Sequence, residues 1–418
     1  MENKKHNNDW QTLYEFVEQY SSNELVEQDY VNVINRFESS HETWRPCADY
    51  FYHEQNKTQD GAHYYGNAIV IYSIALCVCE SGFLTLQKVQ SLQQEIEQYC
   101  KNIQYRDTQK SSLWHNLGLC WHRLGKIHDQ DAIEAFKKET FHILTAHNNI
   151  SHSNLSCYSF RRIDKYLLES LVNEQLSFSS PTLFNDIFDC PIMELLSGYD
   201  DEVARLIRTA YSQCLKVACF ARNKRLTYVD PAGNQVSDEL KQKESPSEYL
   251  NELMWAHYAD SHRGICIHYV FPAELTSAEK GQQVLFFKDI VYKKELNYLK
   301  EKETLNIEDS FFIKSSSWEY ENELRLVYYN PHDTALHTSI PVPNAIAAIY
   351  FGVNCDKSDR DTIINLLHGR QYMKRYHVIE SGRVVEKLES LPVRFYQMEK
   401  DKEMFGKIRG GEIKDYKL

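Results

Sequence analysis

The sequence lacks a long apolar run. Its longest apolar stretch, residues 68–79, is interrupted by Tyr72 and Ser73 and is too short to span a bilayer, so we expect it to form a buried helix. The first ten residues, MENKKHNNDW, contain no apolar core typical of a signal peptide. These two absences predict a cytoplasmic location and no membrane partner.

Clustered positive charge is also missing. The formal net charge is −12, and the lysines and arginines occur mostly singly or in pairs among acidic residues. A surface of this kind repels nucleic-acid phosphates. We therefore expect no extended nucleic-acid groove. Binding of a nucleotide or another small molecule at an active site is compatible with this charge distribution.

The eleven cysteines form no disulfide framework. The closest pair in the sequence is Cys77 and Cys79, and no C-x-x-C occurs, which predicts reduced thiols. The histidines and cysteines are not paired at zinc-like spacing, so no metal is predicted. Also missing are G-x-G-x-x-G, the P-loop, H-E-x-x-H and G-x-S-x-G.

Residues 1–150 are predicted to form a helical domain. Pro46 is the only proline there, glycine is sparse, and apolar residues recur every three or four positions. Residues 114–136 resemble a tetratricopeptide (TPR) repeat, in which the small Gly118 lets a second helix approach and Phe136 fills the groove. The alternative is a generic helical bundle. A TPR-like region implies a protein or peptide partner.

The pattern changes after the polar, turn-rich residues 147–157, which we take as the domain boundary. Short strand-like runs then alternate with helical stretches, which indicates an α+β fold with a mainly antiparallel sheet. We assign residues 151–418 to this second domain, with a core at 155–355 and a C-terminal extension at 356–418.

The first informative segment of the second domain is residues 176–189. A strand ends at Ser179, and a turn carrying Asn185 and Asp186 follows. Asparagine and aspartate near a proline are common turn formers, so a structured corner is one interpretation. A ligand-binding corner is the other.

The second segment, residues 253–269, combines aromatic and imidazole side chains. Trp255, His257 and Tyr258 lie on neighbouring faces if residues 250–260 are helical, and Gly264 then ends the helix before a strand. This arrangement fits either core aromatics with a hydrogen-bonded histidine or the wall of a ligand pocket.

The third segment, residues 314–327, reads as an alternating strand. Glu321, Glu323 and Arg325 then share one face. That face is either a solvated Glu–Arg ladder or a pair of carboxylates that Arg325 holds in a cleft.

Four ordered blocks together resemble a bacterial family, domain of unknown function 2971, over roughly residues 155–355. The blocks are residues 158–161, 178–189, 254–258 and 318–325. Two positions depart from the family pattern: Ile187 replaces a usual proline, and Ala221 replaces a common serine.

The order of arginine, serine and E-x-E is also similar to that of ADP-ribosyltransferases. This resemblance implies NAD as a substrate, with Arg161 on the phosphates, Ser179 supporting the site, Glu323 catalytic and Glu321 facing the acceptor. It places Trp255, His257 and Tyr258 at the nicotinamide end, with His257 as a third catalytic candidate beside the two glutamates. The predicted cofactor-binding set also includes Asn185, Asp186 and Arg325.

Three functions therefore compete. The first is an NAD-consuming enzyme, such as a toxin or phage-defence effector whose helical domain senses a partner. The second is a metal-dependent nuclease or phosphodiesterase that uses Asp186, Asp189, Glu321 and Glu323 as oxygen ligands. The third is a non-enzymatic TPR-type interaction protein.

Overall fold

A computed structural model describes residues 2–21, 25–54, 60–79, 82–101, 107–146, 155–184, 186, 188–190, 200–222, 227–229, 235–237, 248–271, 284–295, 311–380 and 383–413. The chain divides into two compact units, which are described separately. The first comprises residues 1–148 and 192–214, and the second comprises residues 149–191 and 215–418.

The first unit is helical, as the sequence predicts. The described helices are α1 (Glu2–Ser21), α2 (Glu27–Glu54), α3 (Asp60–Val78), α4 (Leu86–Cys100), α5 (Asp107–Arg123), α6 (Asp129–Ala146) and α8 (Asp201–Cys214). The apolar run of residues 68–79 lies almost wholly in α3. Helix α8 belongs to this unit, although it lies beyond the boundary at residue 150 that the sequence predicts. Its Arg205 pairs with Asp129 of α6 at 3.1 Å. None of the helices in the described ranges has the length and apolar character needed to cross a membrane.

Helices α5 and α6 pack closely at Gly118. A Cβ atom added to Gly118 would lie 2.5 Å from the Phe136 ring, so the two helices approach at the place that the repeat-like pattern predicts. A Cβ atom added to Gly66 of α3 would likewise overlap the Tyr99 side chain of α4. These contacts fit a TPR array and a helical bundle alike, and the TPR assignment stays an interpretation.

Among its described residues, the second unit combines a large sheet with three short α-helices. The helices are α7 (Lys165–Val172), α9 (Glu252–Tyr258) and α10 (Lys357–Leu367). The strands are β1 (Leu155–Arg161), β2 (Gln175–Ser179), β3 (Leu215–Arg222), β4 (Thr227–Val229), β5 (Gln235–Ser237), β6 (Ile265–Phe271), β7 (Val284–Asp289), β8 (Val291–Lys293), β9 (Ile313–Ser315), β10 (Glu323–Tyr329), β11 (His337–Pro341), β12 (Ile346–Phe351), β13 (Gln371–Glu380), β14 (Arg383–Pro392), β15 (Arg394–Lys400) and β16 (Ile408–Glu412).

Ten of these strands form one sheet in the order β11-β2-β3-β1-β6-β12-β15-β16, with β10 pairing to β3 and to β7. Most neighbours are antiparallel, and β12 with β15 is a parallel pair. The prediction of an α+β chain, with a helical N-terminal part and a mainly antiparallel sheet after it, is confirmed.

Apolar side chains cover both faces of the sheet. Because successive side chains on a strand point to opposite faces, Cys157 of β1 joins a core with α7 and α10, while Tyr158 and Phe160 join a second core. Trp255 of α9 is buried in the second core, with its ring centroid 5.3 Å from that of Phe160. Helix α9 therefore lies against the face that carries Ala221.

Strand β1 separates from β3 soon after the two strands meet. Their register contains only Cys157 opposite Arg222 and Tyr158 opposite Ala221, whereas β1 pairs with β6 over its whole length. Further along β3, Val217 pairs with β2. In the described ranges, residues 218–220 of β3 thus have no strand partner on this edge, and the sheet is split there.

The close packing at Gly118 is testable. We expect Gly118→Ala to lower the free energy of unfolding in urea by about 1–2 kcal/mol, because the new Cβ overpacks the Phe136 ring. Without such a contact, alanine would stabilise the helix by about 1 kcal/mol relative to glycine. A loss of stability would therefore come from the contact with Phe136. The control is Gly82→Ala, where an added Cβ meets nothing within 4 Å. Equal stability of the two variants would contradict the packing described here.

Candidate active site

A cavity of about 200 Å³ lies in the second unit, where β1 and β3 separate. Its walls come from both strands, from α9, from the segment after β2 and from the segment around β9 and β10. The lining residues are Tyr158, Ser159, Phe160, Arg161, Phe184, Asp189, Cys219, Phe220, Ala221, Met254, Tyr258, Lys314, Glu321 and Glu323. Aromatic, acidic and basic side chains from distant parts of the sequence therefore meet in one place.

The two glutamates reach the cavity from different secondary structures. The sequence predicted one continuous strand, but Ser316–Glu321 form a 3-10 helix and Glu323 begins β10. Two local features cause the change: the Ser315 side chain accepts a hydrogen bond from the Ser317 N–H, and Asn322 adopts φ 47°. Asparagine tolerates this left-handed conformation. The prediction of an unbroken strand was wrong, although Glu323 and Arg325 do share a face.

Arg325 lies at the centre of the charged cluster and is fully buried. Its Nε donates to Glu323 Oε1 at 2.7 Å, and its Nη2 donates to both Asp189 oxygens at 2.8 and 2.7 Å. Its Nη1 donates to the Phe311 carbonyl at 2.7 Å and to Cys190 Sγ at 3.2 Å. Because every guanidinium N–H has a protein partner, Arg325 positions the carboxylates and has no donor left for a ligand phosphate.

Lys314 links the two glutamates. Its Nζ donates to Glu321 Oε2 at 2.6 Å and to Glu323 Oε2 at 3.0 Å. The other Glu321 oxygen accepts from the Tyr258 hydroxyl at 2.5 Å. Burial lowers the pKa of Lys314, but Glu323 and then Glu321 outweigh it and raise that pKa above its ordinary value. Lys314 is therefore a cation that holds both carboxylates.

The cluster keeps Glu323 ionised and carries a net negative charge. Burial alone raises the pKa of Glu323, but Arg325 and then Lys314 lower it to about 2. Two cations, Lys314 and Arg325, face three carboxylates, those of Asp189, Glu321 and Glu323. With all five groups charged, the cluster has a net charge of −1 (+2 − 3) beside the cavity. Such a wall stabilises positive charge on a bound molecule.

The site brings the helix M-W-A-H-Y and the segment W-E-Y-E-N-E-L-R to the same cavity through Met254, Tyr258, Glu321 and Glu323. Residues 254–326 match the DUF2971 family model. Its description is "Protein of unknown function (DUF2971)", so the match assigns no activity. The resemblance noted from the sequence is thus confirmed over this range. No curated protein and no solved structure matches the chain.

Arg161 lies outside the DUF2971 match but lines the same cavity. Strand alternation places it on the opposite face of β1 from Tyr158, and it borders the cavity because β1 has left β3 there. Gly264 allows this arrangement, since a Cβ at that position would overlap the Arg161 carbonyl oxygen. Arg161 is half-buried, and its charge acts on Asp164, the residue before α7, without a hydrogen bond between the two among the described residues.

Two aromatic-segment residues predicted for the site lie away from the cavity wall. Trp255 is fully buried, and its Nε1 donates to the Tyr249 carbonyl at 2.7 Å, so it packs as a core residue. His257 is exposed, with its ring centroid 6.2 Å from that of Tyr320. Neither residue is among those that line the cavity.

The segment after β2 contributes differently from the prediction. Ser179 is half-buried and its hydroxyl contacts His337 Nδ1 at 3.1 Å, while Asp186 accepts from the Phe188 N–H at 3.0 Å. These two residues do not line the cavity, and Asn185 lies outside the described residues. Asp189 lines it instead, as a partner of Arg325.

Sequence reasoning missed the role of Lys314. The residue stands seven positions before Glu321, and only the 3-10 helix that folds between them brings its Nζ onto both glutamates. The contact of Cys190 with Arg325 was also missed. In the described part of the chain, no three His, Cys, Asp or Glu side chains are grouped to hold a metal ion.

The lowered pKa of Glu323 predicts acid sensitivity. The folded pKa of about 2 lies below the ordinary value of 4.5. The ionised carboxylate therefore contributes stability above pH 4.5, and this contribution is lost as the pH falls from 4.5 to 2, on the order of 3 kcal/mol. We expect Glu323→Gln to flatten the unfolding free energy against pH in this window, measured by urea denaturation.

The control for the acid profile is Glu319→Gln. Glu319 is an exposed carboxylate on the same 3-10 helix as Glu321. This variant is expected to keep the wild-type slope. A wild-type slope in Glu323→Gln would mean that Glu323 gains nothing from Arg325 and Lys314.

Proposed function

We propose that this chain is an enzyme that breaks the N-glycosidic bond of NAD and transfers the ADP-ribosyl group to an acceptor. The observation that carries the proposal is the meeting of Glu321, Glu323 and Arg161 at one cavity with opposite charges on its walls. An anionic ligand that develops positive charge at one carbon needs both kinds of wall.

Glu323 is suited to stabilise the transition state. When the bond between the ribose C1′ and the nicotinamide nitrogen breaks, the electron pair leaves with nicotinamide, and C1′ becomes oxocarbenium-like. A carboxylate whose pKa is about 2 stays ionised and lowers the energy of that positive charge. The same low pKa argues against Glu323 as a proton donor.

Glu321 is suited to direct the acceptor. Tyr258 and Lys314 each bind one of its oxygens and hold the carboxylate at the cavity wall. An acceptor O–H or N–H that hydrogen-bonds to Glu321 is turned towards C1′. The acceptor atom forms the new bond to C1′, and its proton passes to the Glu321 carboxylate or to water.

Arg161 is suited to bind the phosphates. Arg161 is among the cavity-lining residues, and its charge acts on Asp164 without a hydrogen bond to it in the described part of the chain, whereas Arg325 is fully hydrogen-bonded. A guanidinium pairs bidentately with phosphate oxygens. The cavity of about 200 Å³ is smaller than sites that enclose a whole drug-sized ligand, roughly 300–1,000 Å³. It takes the nicotinamide–ribose part, and Phe184 at its wall replaces Trp255 as the stacking aromatic.

The two other hypotheses receive less support. A nuclease metal would have to displace Lys314 and Arg325, which bind Asp189, Glu321 and Glu323, and Asp186 does not line the cavity. A purely non-enzymatic adaptor gives no reason for a charged cavity. In this proposal the helical unit binds a protein or peptide partner that triggers the enzyme, as in a cytoplasmic toxin or antiphage effector.

The proposal predicts nicotinamide release. Full-length protein incubated with NAD, with and without lysate as a source of trigger and acceptor, is assayed for nicotinamide by chromatography. We expect Glu323→Gln to lower the rate by about 10²–10³-fold, the usual loss when a charge-stabilising group is removed. Glu319→Gln, two positions before Glu321, is expected to keep the wild-type rate.

Two further observations make this test specific. Arg161→Met is expected to raise KM for NAD more than it lowers kcat, because phosphate binding is shared by ground and transition states. Thermal melting shows whether each variant is folded at the assay temperature. Unchanged NAD under every condition, or equal rates for folded Glu323→Gln and wild type, would overturn the proposal.

A further inference from the structure

Two cysteines of the helical unit lie in contact across a helix pair. Cys77 on α3 and Cys120 on α5 have their Sγ atoms 3.2 Å apart, and both are free thiols. Each thiol also lies against the backbone of the opposite helix: Cys77 Sγ is 3.3 Å from the Asn116 carbonyl, and Cys120 Sγ is 3.8 Å from the Ser73 carbonyl. The two side chains therefore point at one another across a closely packed helix interface.

Polar contacts on both sides hold this interface in register. One turn before the cysteines, Asn116 Nδ2 donates to Ser73 Oγ at 2.9 Å. One turn after them, Arg123 donates to the carbonyls of Leu76 and Cys79, at 3.2 and 2.9 Å. A disulfide has an S–S distance of about 2.05 Å, so its formation requires the sulfur atoms to approach by about 1 Å.

The two thiols differ in environment. Cys77 is half-buried, whereas Cys120 is buried. The hydrogen bond from Cys120 lowers the pKa of Cys77; burial opposes this, while Arg123 and His115 lower it further. The pKa of Cys120 is raised by the same hydrogen bond and by burial. Such a pair has one less buried, more easily ionised thiol and one buried resolving thiol.

We propose that Cys77 and Cys120 are a redox modification site, which a hydroperoxide converts into a reversible disulfide joining α3 to α5. This use of cysteine agrees with a chain that has no disulfide framework, because disulfides in a reducing compartment are usually transient. The site lies in the helical unit and is independent of the function proposed for the cavity.

The reaction balances with the hydroperoxide as the two-electron oxidant. The Cys77 thiolate attacks one peroxide oxygen, the O–O bond breaks, and the departing hydroxide or alkoxide takes up a proton. The Cys120 sulfur then attacks the Cys77 sulfenic acid, the S–O bond breaks, and water leaves with the Cys120 proton. Two thiols and one hydrogen peroxide thus give one disulfide and two waters.

The test uses the full-length protein treated with hydrogen peroxide under native conditions. Remaining thiols are alkylated in denaturant, and peptides are mapped by mass spectrometry without reduction. We expect a linked pair of peptides containing Cys77 and Cys120, about 2 Da lighter than their sum, which dithiothreitol separates. Thermal melting is expected to shift upwards by several degrees, since the link closes a loop in the unfolded chain.

Variants separate this site from general oxidation. In Cys120→Ser, we expect no link and a dimedone adduct on Cys77, because the sulfenic acid has no partner. Cys100→Ser, a half-buried cysteine of α4 in the same unit, is expected to form the link as wild type does. The proposal is overturned if Cys77 and Cys120 stay fully alkylatable in the wild type after oxidation. It is also overturned if other cysteine pairs link as readily as this one.

Discussion

The charged part of the cavity depends on one buried side chain. Arg325 uses all its donors on Glu323, Asp189, Cys190 and the Phe311 carbonyl. It thereby joins β10 to the segment after β2 and to the residues before β9. A buried guanidinium is costly to desolvate and persists only where its partners satisfy every N–H. The acidic wall exists because these segments close around Arg325, and Lys314 then sets the second glutamate beside the first.

The separation of β1 from β3 opens the cavity that the charged cluster borders. Had β1 continued alongside β3, the strand backbones would have filled the space that the cavity occupies. The separation leaves Arg161, Glu321 and Glu323 in the lining of one cavity, so that side chains of both charges border it. An anionic ligand with a reactive, positively charged carbon fits such a division of charge, which is why we favour glycosidic chemistry on a nucleotide over chemistry that needs a metal.

The sequence predicted those features that depend on short-range patterns. Period-two alternation placed Glu323 and Arg325 on one face, and the repeat-like pattern placed Gly118 against Phe136. Features that depend on individual hydrogen bonds and backbone conformations, and not on a repeating pattern, were not predicted. Trp255 is buried, and its indole N–H donates to the Tyr249 carbonyl. Glu321 lies in a 3-10 helix and not in a strand, because Ser315 caps that helix and Asn322 ends it. The place of Lys314 between the glutamates follows only from the folded chain.

The most direct test of this account is the free energy of unfolding of Arg325→Met in the full-length protein, beside Arg263→Met. Arg263 pairs only with Asp260 in what the structure describes, and its side chain is 59% exposed. Removing one partner from a buried charged cluster costs about 3–5 kcal/mol, whereas an exposed pair contributes under about 1 kcal/mol. We predict a loss of that larger size for Arg325→Met alone. Equal stabilities of the two variants would show that the cluster does not organise the site.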